Sequence, residues 1–515
     1  MSSIIVGDSL YIEGGEYYIT GAASYADILY PPTRSIDLSK SWTTSSVVIN
    51  QINRTGINAC ERTIAKPGLF WQESTRSIIV FGGDTSNAGS KKAVCGLKVR
   101  ETLGGESWYS VYGTNNPLWK TITWPRHPSF AYGPTESYAL GGFTTTADSN
   151  VGSMLMSMTV MNKTTNLFEG QSDVGEFSQT GGVNQGEGHF IPSFGGLVVF
   201  IGGVAYSNGA IGSSLRSMSK IDIYNPSTQK WYSQSASGDV PSGRKTFCMT
   251  GAQGTNHSTY EIFVYGGSGL EFFSDANSDS RNVYILTLPA FRWIRAGALT
   301  APRAGSSCQT VKNQMISYGG FDPTGTTSFE RLEPWAFGIG IFDLHSLKWG
   351  VNYNPNAPAY VQSTAVSEFY ESNSMYPIWD DENLGSLFLS SKASSTSATS
   401  PTTSPPGTTS STSTPETLHP SKTPVAAIAG GTVGGVAALA AVIFAWWFWR
   451  SRRSGKPDAA PRDSEPVVSG LHDTPAVNEL PTERRPEMAS TGYNYHKVGQ
   501  NNLAPKPGEV YEVHA

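Results

Sequence analysis

Six times between residues 1 and 389 an apolar run closes on a pair of glycines. The runs are LYIEGG, ending at Gly14 and Gly15, IIVFGG at Gly82 and Gly83, and YALGG at Gly141 and Gly142. VVFIGG follows at Gly202 and Gly203, IFVYGG at Gly266 and Gly267, and MISYGG at Gly319 and Gly320. Successive pairs are 68, 59, 61, 64 and 53 residues apart. An aromatic residue then follows each pair after 25 to 29 positions: Trp42, Trp108, Phe168, Trp231, Trp293 and Trp349. Such a chain is built by repeating one small unit, each burying its apolar face against the next. That also suits a length of 515 residues, more than one compact core accommodates.

The unit is a sheet. Charged residues make up 15% of the chain, against about 25% in an ordinary domain, which leaves little material for long solvent-facing helices. The runs before the glycines are rich in Val, Ile, Phe and Tyr, as strands buried on both faces require. Each of IDLSKSW, NKTTNLF, NPSTQKW, TLPAFRW and DLHSLKW ends a strand, turns, and re-enters with the aromatic. Asn225, before Pro226, and Asp343 are suited to accept backbone N–H groups in those turns. A four-stranded antiparallel sheet is expected per unit, with the glycines at sharp corners and the aromatic filling the gap between neighbouring sheets.

An apolar strand with a diglycine, followed by strand, turn and Trp, resembles the kelch repeat, whose units are blades of a β-propeller. The resemblance covers about residues 3–370. It implies an all-β fold of six blades, or seven if a further unit precedes residue 1. GGESW, Gly104 to Trp108, together with the segments that follow the repeats, is similar to the single-pass membrane kelch proteins of filamentous fungi. Phe168 departs from the Trp of the pattern, and the repeat length exceeds the ~50 residues usual for kelch, so long loops are expected between strands. SEFYESNSMYPIW, from Ser367, either closes the ring or leads out of it.

Four segments follow from composition. Residues 1–389 are the propeller. Residues 390–423 hold 21 Ser or Thr and five Pro, a disordered, extended stretch that reads as an O-glycosylated stalk. Residues 424–449 are a transmembrane helix: the 25 residues from Val425 to Trp449 carry no ionisable group and reach about 37 Å as a helix, against a ~30 Å hydrocarbon layer. Arg450, Arg452, Arg453 and Lys456 crowd its C-terminal flank, so the propeller is expected outside and the tail in the cytoplasm, with Trp446, Trp447 and Trp449 at the inner headgroup boundary. Gly430 with Gly434, and Gly431 with Gly435, permit close helix packing and a homodimer. Residues 450–515 carry eight Pro and nine basic against nine acidic residues, a disordered tail in which Tyr493, Tyr495 and Tyr511 are weak docking candidates.

MSSIIVGDSLYIEGG has neither the basic start nor the apolar core of a signal peptide, so a start upstream of Met1 is expected to carry one. Cys60, Cys95, Cys248 and Cys308 all lie in the propeller, as expected of an oxidised outer domain. Cys248 follows Arg244 and Cys308 follows Arg303 at similar places in successive units, which favours pairing 248 with 308 and 60 with 95; four buried thiols are the alternative. Asn53, Asn162 and Asn256 stand in glycosylation sequons.

Chemistry is sparse. His127, His189, His257 and His345 are isolated, without zinc spacing. No G-x-S-x-G elbow appears, and the glycine pairs lead into more strands rather than a phosphate-binding helix. Kelch-type propellers include copper radical oxidases of the galactose-oxidase kind, which need a Tyr–Cys thioether, two His and a second Tyr on one copper; no local motif assembles that set. A net charge of −5 and a pI of 6.0 do not suit nucleic acid. The expectation is therefore a non-catalytic cell-surface propeller, free of cofactor, that binds a protein or cell-wall carbohydrate through its loops, for example by Phe272 and Phe273. The alternatives are a surface-tethered copper oxidase and a membrane-anchored cytosolic kelch adaptor.

Overall fold

A computed structural model of the chain describes residues 1–396, apart from 20–27, 30–31, 55–62, 86–93, 101–103, 112–124, 146–151, 166, 179–180, 208–209, 256, 271–277, 299–301 and 325–334, together with residues 511–514. The predicted membrane helix with its flanking Trp446, Trp447, Trp449, Arg450, Arg452 and Arg453 lies outside the described residues, as do Cys60, Asn256, Phe272 and Phe273. No described helix is long and apolar enough to cross a membrane.

Strands dominate, and each repeat forms one antiparallel sheet whose strands lie side by side in chain order. The first sheet comprises Ser2–Val6, Ser9–Glu13, Thr33–Asp37 and Ile49–Ile52. The second comprises Gly68–Gln72, Ser77–Phe81, Cys95–Lys98 and Ser107–Ser110. Ser129–Tyr132, Glu136–Leu140, Met158–Asn162 and Phe168–Gln171 make the third. Glu187–Ile191, Leu197–Ile201, Lys220–Asn225 and Lys230–Ser235 make the fourth. The fifth has Lys245–Gln253, Tyr260–Ser268, Asn282–Leu288 and Arg292–Ala298, with Ser237–Gly238 added parallel to its outer edge. The sixth has Ser307–Val311, Gln314–Tyr318, Ile339–Asp343 and Lys348–Gly350.

The second strand of each sheet is the apolar run before a glycine pair, and it is buried on both faces: Ile78, Ile79, Val80 and Phe81 are all at most 3% exposed. The turn chemistry is as the sequence implies. Asn225 Oδ1 accepts from Ser227 N at 3.0 Å, and Asp343 Oδ1 from His345 N at 3.1 Å and Ser346 N at 2.6 Å.

The recurrent aromatics join the sheets. Each rests on the unit before it. Phe168 of the third sheet lies 4.8 Å from Phe81 of the second, and Trp349 of the sixth 5.0 Å from Tyr265 of the fifth. Trp108 carries the guanidinium of Arg54, which follows the first sheet, 3.9 Å above its ring. Trp231 packs into a cluster with Tyr138 and Leu140 of the third sheet. Trp293 is fully buried and donates its indole N–H to the carbonyl of Met218, just ahead of the third strand of the fourth sheet.

Trp42 differs from the sequence expectation. It does not enter the outer strand of its own sheet; Trp42–Thr43 pairs instead with Asn352–Tyr353, beyond the sixth sheet. The Trp42 and Tyr353 rings stack at 4.7 Å, and Tyr353 donates its hydroxyl to the Leu38 carbonyl at 3.0 Å. On the inner side Ser3 and Ser307 share a hydroxyl hydrogen bond of 2.6 Å, and Gln309 Nε2 donates to the Ser3 carbonyl at 2.8 Å. The last sheet thus returns to the first, and the aromatic of the first unit is taken up by that seam.

After the seam the chain runs beneath the sheets. Helix α1, Thr364–Ser372, buries Val366 in the core shared by the fifth and sixth sheets. Helix α2, Glu382–Thr396, sets Phe388 against Phe194 at 4.5 Å and Phe291 at 5.5 Å, in turns of the fourth and fifth sheets. The segment from Ser367 therefore leads out of the ring rather than closing it. Helix α2 also continues into the Ser/Thr-rich stretch from residue 390, so that stretch begins helical rather than extended. A last short strand, Tyr511–His514, pairs antiparallel with Glu16–Ile19.

Candidate functional site

Two ends of the sheets can be told apart. One carries the tight turns between first and second strands, such as Gly7–Asp8. The other carries the glycine pairs, from which the long connections to the third strands depart. All twelve paired glycines have φ between +60° and +98°, the left-handed region closed to most side chains. In the second to fifth units the second glycine also bonds the next unit: Gly83 N donates to Pro125 O at 2.9 Å, Gly142 to Val183 at 2.7 Å, Gly203 to Arg244 at 2.9 Å and Gly267 to Arg303 at 2.6 Å. A Cβ on Gly141 or Gly266 would stand 2.2 Å from a backbone oxygen of the following unit. These glycines therefore serve close approach between units as well as the turn.

A second circle of residues lies just inside this one. Lys66, His127, Gln185 and Gly305 each precede an inner strand and Thr246 is the second residue of one, and each has positive φ, from +39° to +73°. Gln185 N donates to His127 O at 2.8 Å, Thr246 N to Gln185 O at 2.9 Å, and Gly305 N to Thr246 O at 2.7 Å. Backbone hydrogen bonds thereby step from the third sheet to the sixth. Thr246 is β-branched and strained in this conformation, and the two flanking bonds hold it there. Lys66 reaches past the third sheet to the fourth, pairing with Glu187 and donating to the Gly186 carbonyl at 3.3 Å. Burial pushes the Glu187 carboxyl up, with Lys66 pulling it back down. Sequence reasoning missed this circle because its members share a backbone conformation and no side-chain type; only their spacing of about 60 residues carried the signal.

Buried arginines brace the same end. Arg244, wholly buried, donates from Nη1 to the Gly266 carbonyl at 2.9 Å and from Nε to Ser242 O at 3.1 Å, with its guanidinium 5.3 Å over the Tyr284 ring. Arg303 is buried at the matching place in the sixth unit. Close by, Cys248 and Cys308 are joined in a disulfide across the inner strands of the fifth and sixth sheets, with Cα atoms 5.5 Å apart. Cys95 is disulfide-bonded as well. Asn53 is exposed, and Asn162 uses Oδ1 to accept from Thr164 and Thr165 N in a tight turn, both at 3.0 Å.

The histidines stay apart. His127 stacks on Phe143, and His345 Nδ1 meets the Gln362 carbonyl at 3.0 Å. His189 sits 2.8 Å from the Tyr260 hydroxyl, and burial pushes its imidazole down to about 4. A copper radical centre requires a free cysteine to form its thioether, yet Cys95, Cys248 and Cys308 are all disulfide-bonded. Among the described residues no three His, Cys, Asp or Glu side chains stand close enough to share a metal ion. Among the described residues no free cysteine is available for that group.

Repeated four-stranded sheets, left-handed diglycines bonded forward and aromatics packed backward make this an all-β fold of the kelch-propeller kind. The sequence comparison points the same way. A Kelch repeat-containing protein of Arthroderma benhamiae is 29% identical to the chain over 168 residues, 32% of this chain and 24% of that protein. The chain thus matches about a quarter of that relative's length. No protein-family model matches the chain.

Proposed function

We propose that the chain is a non-catalytic recognition protein of the cell surface: a six-bladed kelch propeller, on a Ser/Thr-rich stalk, anchored by one membrane helix at residues 424–449. The loops leaving the glycine pairs bind a protein or cell-wall carbohydrate. The observation that carries this reading is the forward-bonded glycine frame, in which Gly83, Gly142, Gly203 and Gly267 tie four loop bases to the next unit while leaving the loops themselves free to vary. The disulfide between Cys248 and Cys308 supports an oxidising, outward location. The Arg450, Arg452 and Arg453 cluster supports a cytoplasmic tail, and the paired glycines from Gly430 to Gly435 support a dimer within the membrane. Membrane-impermeant biotinylation of intact expressing cells tests the topology. Labelled lysines in residues 1–389 with unlabelled lysines after residue 450 are expected; the reverse pattern overturns the outward reading. Peroxide production from sugars or aldehydes by copper-treated protein would return the oxidase.

One observation favours the cytosolic adaptor as a second reading. Tyr511–His514 pairs with Glu16–Ile19, which requires both to lie on one side of any membrane. The same labelling experiment decides between the two, since the adaptor leaves both regions unlabelled.

A further inference from the structure

At the end of the sheets opposite the glycine pairs, an open groove of about 1050 Å³ runs between the first and second sheets. One wall is the turn end of the first sheet, with Asp37, Trp42 and Asn50; the other is that of the second, with Trp71, Glu73 and Arg76. We infer that this groove binds a neutral polyhydroxylated ligand, a glycan, with sugar rings laid against Trp42 and Trp71.

Three features select that chemistry. First, both indoles are half-buried and fixed in plane before any ligand arrives. Trp42 donates Nε1–H to the Asp37 carbonyl at 3.1 Å and stacks on Tyr353 at 4.7 Å. Trp71 donates Nε1–H to Glu73 Oε2 at 2.7 Å. Rings held this way offer flat apolar area at little entropic cost, which suits the C–H faces of a pyranose. Second, the ionisable lining is balanced: Asp8, Asp37 and Glu73 against Lys40, Arg76 and Arg100. Lys40 pairs with Asp37 at 2.9 Å, so the groove does not favour a ligand of either sign. Third, the remaining lining is rich in hydroxyl and amide groups, Ser9, Ser39, Ser41, Ser46 and Asn50, which can both give and take hydrogen bonds. An extended peptide would need apolar side-chain pockets, and only Ile5, Val6, Val48 and Val99 contribute aliphatic surface here. The groove goes beyond the loop-borne recognition proposed above, since it lies at the other end of the sheets.

The test uses the full chain in detergent micelles, titrated with three neutral linear hexasaccharides, of β-1,3-glucose, β-1,4-N-acetylglucosamine and α-1,6-mannose, and followed by tryptophan fluorescence and calorimetry. At least one is expected to bind. Trp71→Ala should weaken that binding by about tenfold or more, and Trp71→Phe, which keeps a ring and most of the packing, by less than about threefold. Equal weakening by both variants, or an unchanged affinity in Trp71→Ala with an unchanged melting temperature, overturns the site. Failure of all three sugars to bind overturns the ligand class, as does tighter binding of an uncharged peptide of similar length. Sugar binding that survives Trp71→Ala but is lost when residues 268–277 are replaced by a Gly/Ser linker rejects the groove and leaves the loop-borne reading standing.

Discussion

Trp293 lies in the fifth sheet and Met218 just ahead of the third strand of the fourth, yet the indole N–H of the first donates to the backbone carbonyl of the second at 2.9 Å. That bond sits inside the largest apolar cluster among the described residues, which spans the fourth and fifth sheets and takes in Leu384 and Phe388 of α2. Trp293→Ala removes both packing and bond, and is expected to cost about 3–5 kcal/mol. Trp293→Phe keeps a ring but strands the Met218 carbonyl, and should cost less, about 1–3 kcal/mol. Urea unfolding of the two variants checks the order.

Gly266 and Gly104 separate the two demands a glycine can meet. Both have positive φ, +76° and +96°, but a Cβ on Gly266 meets Arg303 O at 2.2 Å while one on Gly104 meets nothing within 4 Å. Gly104→Ala should therefore cost only the left-handed conformation, about 1–2 kcal/mol. Gly266→Ala should cost distinctly more, because the neighbouring unit must move. Equal losses of melting temperature would show that close approach between units contributes nothing.

The Cys248–Cys308 disulfide closes a loop of 60 residues. Chain-entropy arguments give such a cross-link about 4 kcal/mol of stabilisation. Replacing both by Ser should lower the unfolding midpoint by a corresponding amount. A reducing agent should then have a smaller effect on the variant than on the parent protein.

Glu261 makes stability depend on pH. Its side chain is fully buried, accepting from Gln362 Nε2 at 3.0 Å and Thr287 Oγ1 at 3.1 Å, while Tyr370 meets the same threonine at 2.9 Å. Burial pushes the carboxyl up to about 7, against the hydrogen bonds, which pull it down. The folded state therefore holds its proton more tightly than the unfolded chain, where a glutamate titrates near 4.3. Stability is greatest below the unfolded value and falls as pH rises through the folded one, by on the order of 3 kcal/mol between about pH 4.5 and 7. Glu261→Gln keeps an acceptor for both donors and should flatten that slope, as read from melting temperatures across the range.

The sheets were legible because their signals are local: Gly82 and Gly83 after four consecutive apolar residues, or Asp343 before a turn, act through their own backbone. The aromatic of each unit was equally visible as a residue filling the gap between neighbouring sheets, but which neighbour it packs on was not. Trp42 escaped because its partner, Tyr353, lies more than three hundred residues away and in no repeat. The inner circle escaped for a different reason. Lys66, His127, Gln185 and Thr246 have no side chain in common, and a left-handed backbone at a threonine is dictated by neighbouring sheets rather than by local preference. The Lys66–Glu187 pair likewise depends on tertiary assembly, bringing together residues of the second and fourth units.

Phe388 has a mechanical consequence. Tension applied to the chain directly after α2 enters the fold where that ring is wedged between Phe194 and Phe291. The load is then borne by the turns of the fourth and fifth sheets. The seam between the first and last units, with its Trp42–Tyr353 stack, is bypassed. A pull at that point would have to peel away α2, and then α1, before the seam felt any force.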